Sequence, residues 1–229
     1  MSKIIVFDTE TTGIIEPVLI EAAGIIINGS PFNEQTETFN SRYNPGKPIS
    51  FGAMATHNIL DCDLENCPPA TEFKLPEDTT YLVGHNIDFD WEVIGKPEVR
   101  LIDTLPMARK LWPDFDSHNL GALSYALCED SKRPGIREKL INRHSALTDV
   151  ELCLELLRFI LKEKTELKSW GDIWRFSEEA RIPDIMPFGK YKGTAIKDLP
   201  EDYKDWFLRQ PDVDRYLKIA LRTKNNFAI

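Results

Sequence analysis

The stretch Lys3-Ile4-Ile5-Val6-Phe7-Asp8-Thr9-Glu10-Thr11-Thr12-Gly13 decides how this chain is read. Lys3 to Phe7 is a short run rich in Ile and Val, the pattern of a buried strand. Asp8 and Glu10 follow at its end. Side chains at i and i+2 of a strand project from one face, so this spacing gathers two carboxylates beside a sheet. Like charges that close repel and ordinarily need a cation. A solvated strand end is the common alternative for any single Asp-x-Glu. Thr11-Thr12-Gly13 shifts the balance, because Gly13 permits a sharp turn and a close approach of backbone to a ligand.

Outward from this stretch the pattern alternates. Leu19 to Ile27 reads as a second strand, closed by the turn signal Asn28-Gly29-Ser30, and Thr36 to Arg42 as a third. Thr79 to Val83, ending at Gly84, and Val99 to Ile102 are further β-like runs. A helix is expected from Thr104 to Leu111, ended by Pro113. Ser117 is expected to cap the next helix, through Leu120, Leu123 and Leu127. The longest helix should begin near Ser145, since Val150, Leu154, Leu157 and Leu161 recur at helical spacing. The fold class implied is α/β, a mixed sheet flanked by helices. Composition changes after Thr165. The organisation read from it is a main domain over 1–165, an amphipathic connector with Trp170 and Trp174 over 166–182, and a module over 183–229. That module carries Met186-Pro187-Phe188-Gly189-Lys190-Tyr191-Lys192-Gly193, then Tyr203, Trp206 and Phe207. A unit so small is marginal alone.

Two more segments bring acids toward the first pair. Gly84-His85-Asn86-Ile87-Asp88-Phe89-Asp90 follows a strand; Asn86 suits a turn or a cap, and spacing alone leaves Asp88 and Asp90 as equal candidates. His144-Ser145-Ala146-Leu147-Thr148-Asp149 precedes the long helix. At about 100° per residue, five positions inside a regular helix separate two side chains by roughly 140°. His144 therefore belongs just before the helix, on adjustable backbone, and Asp149 in its early turns.

Bulk properties bound the options. The chain has 229 residues, enough for one buried core plus a small unit, and its 42% hydrophobic content is that of a folded protein. The first residues lack a signal peptide's apolar stretch, and no apolar run is long enough to span a bilayer, so a cytoplasmic protein with no membrane role is expected. The net charge of −9 argues against a general nucleic-acid coater, though bound metal can reverse the sign locally. Cys62, Cys67, Cys128 and Cys153 lack zinc-ligand spacing and read as reduced, structural residues.

Taken together, the three acidic segments resemble the DEDDh exonucleases, a branch of the ribonuclease-H-like fold. The matching motifs are Phe7 to Gly13, His85 to Asp90 in the form H-N-x-x-F-D, and His144 to Asp149 in the form H-S-A-L-x-D. Ile102-Asp103-Thr104 through Ala108 to Pro113 also looks like the family. The C-terminal Phe188 to Gly193 pattern extends the likeness over nearly the whole chain. Departures are mild: the acidic net charge, and Ile14-Ile15 after the first motif. The resemblance selects Asp90 over Asp88. It implies 3′–5′ hydrolysis of terminal phosphodiesters in DNA, releasing nucleoside 5′-monophosphates. Asp8, Glu10, Asp90 and Asp149 would hold two Mg²⁺ (or Mn²⁺) about 4 Å apart, and His144 would serve as general base. Substrate contacts are expected at Thr11, Thr12, Gly13, His57 and Asn86, with Ile14 as a wedge against the last base pair and Lys190 and Lys192 on the DNA. Against these stand a capping role for His57, a core role for Ile14, and a place for Trp206 and Phe207 in the module's own core. The partner expected is a DNA 3′ end; RNA and a second copy of the chain stay open. The rival activities are a 3′–5′ exoribonuclease and a non-enzymatic, polymerase-associated subunit.

Overall fold

The computed structural model describes residues 2–32, 36–141 and 145–222. Its sheet is built from β1 (Lys3–Thr11), β2 (Leu19–Asn28), β3 (Thr36–Arg42), β4 (Thr79–Gly84) and β5 (Arg100–Asp103). Their spatial order is β3-β2-β1-β4-β5. β1 pairs antiparallel with β2 and parallel with β4; β2–β3 is antiparallel and β4–β5 parallel. The helices are α1 (Phe51–His57), α2 (Asp61–Leu64), α3 (Ile87–Val93), α4 (Thr104–Leu111), α5 (Leu120–Leu127), α6 (Arg133–Ile141), α7 (Ala146–Glu163), α8 (Trp170–Ala180), α9 (Glu201–Leu208) and α10 (Arg215–Arg222). The chain divides into two compact units, Met1–Ser177 and Glu178–Ile229.

β1 is central because its sequence is buried on both faces. Ile4, Ile5, Val6 and Phe7 are all essentially inaccessible, the unalternating pattern of a strand covered above and below. Ile5 and Phe7 pack with Leu82 and Ile87. The even-numbered residues face the other way, and α7 packs on β1 and β2. Each such side chain contributes about 1.5–3 kcal/mol through burial. β1 runs four residues beyond the expected end at Phe7, since Glu10 and Thr11 still pair with Glu21 and Leu19 across an irregularity in register. Close packing at the neighbouring strand end depends on Gly84. A Cβ there would lie 2.5 Å from Ile87 Cδ1 and 3.1 Å from the Phe7 carbonyl oxygen, so a side chain would push α3 off β1.

Other local expectations shift. Asn119, not Ser117, caps α5: its side chain accepts from Ala122 N at 2.8 Å, while Ser117 Oγ accepts from Asn119. α6 has no counterpart in the sequence reading. Pro134 and Gly135 mask its period, yet proline is tolerated in a first helical turn. Asn86 stands at the start of α3 with φ +72° and makes no side-chain capping bond. The cysteines are free thiols, with Cys153 buried.

The segment expected as a connector begins as part of the first unit. Trp170 Nε1 donates to the Gly29 carbonyl at 2.7 Å, and Asp103 N donates to Ser177 Oγ at 2.7 Å. The second unit has its own core of Met186, Ile196, Leu199, Phe207, Leu217 and Leu221. Phe207 is buried as expected. Trp206 is not: it stays 49% exposed, stacked on Tyr203 at 6.2 Å. No helix of the described residues is long and apolar enough to cross a membrane.

Candidate active site

The alternation of β1 places Asp8 and Glu10 on one face and Thr9 on the other. Asp149 comes to the first face from the first turn of α7. One ligand oxygen from each of Asp8, Glu10 and Asp149 lies within 4.8 Å of the others, and among the described residues these three form the group able to hold a metal ion. Oxygen-only donors at that spacing suit a hard divalent cation. A helix N-terminus also favours the negative charge of Asp149.

Asp90 stands outside that group of three and is tied to β1 from α3 through Thr9. Its Oδ1 accepts from Thr9 N at 2.9 Å and from Thr9 Oγ1 at 2.6 Å. Asp90 is 5% exposed, and burial pushes its carboxyl up from the ordinary 3.8 to about 7. Asp88 lies on the exposed side of the same helix. The Asp8 carboxyl is held well above the usual range, first by burial and then by the charges of Asp90, Asp149 and Glu10. A buried carboxyl raised by neighbouring acids, as Asp8 is, is stabilised as a carboxylate by a bound cation.

The start of α7 is fixed by a residue the sequence reading passed over. Glu21 sits opposite Glu10 in the β1–β2 register. Its Oε2 accepts from Ala146 N at 2.8 Å and its Oε1 from Arg42 Nε at 3.0 Å. Ser145 makes no side-chain capping bond, so Glu21 satisfies a helix-end amide in its place. The signal was a single acid inside the apolar run Leu19 to Ile27. Asp103 acts similarly: its Oδ1 accepts from Asn86 N at 2.9 Å and Leu105 N at 3.0 Å, holding the turn that leads into α3. His85 is wedged between Thr104 Oγ1 at 3.0 Å and the His118 carbonyl at 2.7 Å. Burial lowers its imidazole to about 4, so it stays neutral at working pH.

The remaining sequence candidates fall as follows. Thr11 and Thr12 are buried. Thr12 closes the loop: its N donates to Val18 O and its O accepts from Ser50 N, both at 2.9 Å. Gly13 has φ +148°, and a Cβ there would lie 2.9 Å from Ser50 Oγ. Ile14 is 87% exposed, which removes a core role for it. His57 is buried, and its Nδ1 accepts from Ile59 N at 3.0 Å, the geometry of a capping histidine. Lys190 and Lys192 are exposed on a turn whose Gly193 N donates to Met186 O at 2.9 Å. His144, the expected base, lies outside the described residues.

Comparison with known proteins places this arrangement. A family model described as exonuclease matches residues 5–157, and one described as a quorum-sensing-regulated virulence factor matches residues 180–219. The PolC-type DNA polymerase III of Streptococcus pneumoniae is 32% identical over 208 residues, 84% of this chain but 13% of that protein. Exodeoxyribonuclease 10 of Escherichia coli is 28% identical over 219 residues, 90% of this chain and 91% of that one. A solved structure of exonuclease X in complex with 5′ overhanging duplex DNA shares a TM-score of 0.60 at 25% identity, covering 77% of this chain and 99% of that one. A match over this span, on a sheet that draws acids from β1 and α7 into one cluster, makes the chain a member of the exonuclease family.

Proposed function

We propose that this protein is a divalent-metal-dependent 3′–5′ exodeoxyribonuclease that removes nucleoside 5′-monophosphates from DNA ends. The observation that carries this reading is the convergence of Asp8, Glu10 and Asp149 within 4.8 Å, with Asp90 anchored on the residue between the first two. The exonuclease relatives support DNA as the substrate. Asp8, Glu10, Asp149 and Asp90 would hold two Mg²⁺ or Mn²⁺. When bound, these ions polarise water and phosphate oxygens and offset the carboxylate charge. His144 takes the proton of the attacking water, a role suited to an imidazole with a pKa of about 6.5. The Thr11–Gly13 backbone, His57 and Asn86 position the terminal nucleotide. Ile14 presses against the terminal base pair, and Lys190 and Lys192 hold backbone phosphates.

The test uses 5′-labelled DNA and matched RNA oligonucleotides, with Mg²⁺, with chelator, and with Asp8→Ala. The expected result is mononucleotide-step shortening of DNA that needs both metal and Asp8. Activity that persists in chelator or in Asp8→Ala refutes the mechanism; faster shortening of RNA than of DNA favours an exoribonuclease. The PolC-type relatives support a second setting, action beside a polymerase. An isolated chain that is inactive until a polymerase is added would favour it.

A further inference from the structure

The first unit has a concave feature whose lining includes none of Asp8, Glu10, Asp90 and Asp149. α5, α6 and α7 enclose a cleft of about 650 Å³, within the range of natural ligand sites. Its floor is apolar: Leu123, Leu127, Ile136, Leu156 and Phe159. Its rim is cationic: Lys132, Lys139, Arg158 and Lys162, against the single carboxylate of Glu155. Lys139 is paired with Glu155 at 2.8 Å, and Lys132 reaches Glu129 at 3.7 Å on the exposed side. Among the described residues, Arg158 and Lys162 have no ion-pair partner. In a chain of net charge −9, such a rim is a local reversal of sign.

The wall of the cleft includes a glycine. Gly135 lies inside α6, where glycine weakens a helix relative to alanine, and a Cβ built on it meets nothing within 4 Å. A larger side chain at this position therefore has free space to enter.

We propose that this cleft docks a short acidic, amphipathic segment of a partner protein. Two or three large apolar side chains of that segment would fill the floor, and its carboxylates would meet Lys132, Arg158 and Lys162. The apolar anchors supply most of the affinity. The rim supplies selectivity, because the rest of this acidic chain repels an acidic partner. Nucleic acid fits less well: base stacking needs aromatic faces, and Phe159 is the one aromatic in an otherwise aliphatic floor.

The experiment is fluorescence anisotropy on the full chain. The probe is a fluorescein-labelled 14-residue peptide with Leu or Phe at i, i+4 and i+7 and Asp or Glu between them. The control peptide carries Lys at the acidic positions. Micromolar binding that weakens with salt is expected. Gly135→Leu, which fills the cleft, and the double variant Arg158→Glu with Lys162→Glu should each weaken it by about tenfold or more. Circular dichroism and exonuclease turnover should stay at parental values in both. The proposal is overturned if the variants bind the peptide as the parent does, or if the lysine control binds equally. It is overturned as well if a dT oligonucleotide displaces the peptide and Gly135→Leu abolishes oligonucleotide binding.

Discussion

Replacing Asp90 with Asn in metal-free protein should stabilise the fold even as it removes activity. Asp90 is 5% exposed, and burial pushes its carboxyl from 3.8 to about 7. Between pH 4 and 7 the folded protein keeps a proton that the unfolded chain has released. Stability therefore falls as pH rises through that window, and the loss is complete above it. Three pKa units at about 1.4 kcal/mol each amount to roughly 4 kcal/mol at pH 8, and roughly 2 kcal/mol at pH 5. Asn retains an oxygen for Thr9 N–H and the Thr9 hydroxyl but carries no charge, and it relieves Asp8 of its strongest charged neighbour. At about 2–4 °C per kcal/mol for a chain of this size, the variant should melt roughly 10 °C higher at pH 8. The assay is thermal unfolding by circular dichroism in excess chelator at pH 8 and pH 5. Adding Mg²⁺ should raise the melting temperature of the parent more than that of the variant. A variant no more stable than the parent at pH 8, or a gain equal at both pH values, would refute the reasoning.

Other perturbations read other parts of the site. Glu21→Ala strands the Ala146 amide and should destabilise by about 1–3 kcal/mol, lowering kcat more than KM; Glu21→Gln, which keeps an acceptor, should restore part of both, and identical melts and kinetics for the two would dismiss the tie. His144→Ala should cut turnover by about 10²–10⁴ with Mg²⁺ affinity by calorimetry close to that of the parent; near-normal turnover ends the base assignment. Ile14→Gly should slow digestion of blunt duplex and spare single strands, and unchanged duplex rates would remove the wedge.

Most of the sheet was legible because β1, β2, β4 and β5 coincide with short apolar runs that begin at Lys3, Leu19, Thr79 and Val99, whereas β3 (Thr36–Arg42) is polar and exposed and is marked only by the turn signal before it. The acid pair on β1 was legible for the same reason, since a period of two fixes which side chains share a face. Asp88 and Asp90 could not be separated by spacing. The helix that carries them decides it: Ile87 and Asp90 turn inward and Asp88 outward. Glu21 was illegible because its role depends on Arg42 and Ala146, 21 and 125 residues away. A lone acid in an apolar strand has no local pattern that announces such partners. α6 was hidden by Pro134 and Gly135, residues that usually mark breaks.

The cluster joins the tenth residue of the chain to one about 140 positions later, an arrangement of high contact order. A polypeptide emerging from the ribosome, or a fragment clipped before α7, carries Asp8 and Glu10 without Asp149. Such a species lacks the acid that closes the group, so the metal-holding cluster is assembled only once the start of α7 has docked on β1.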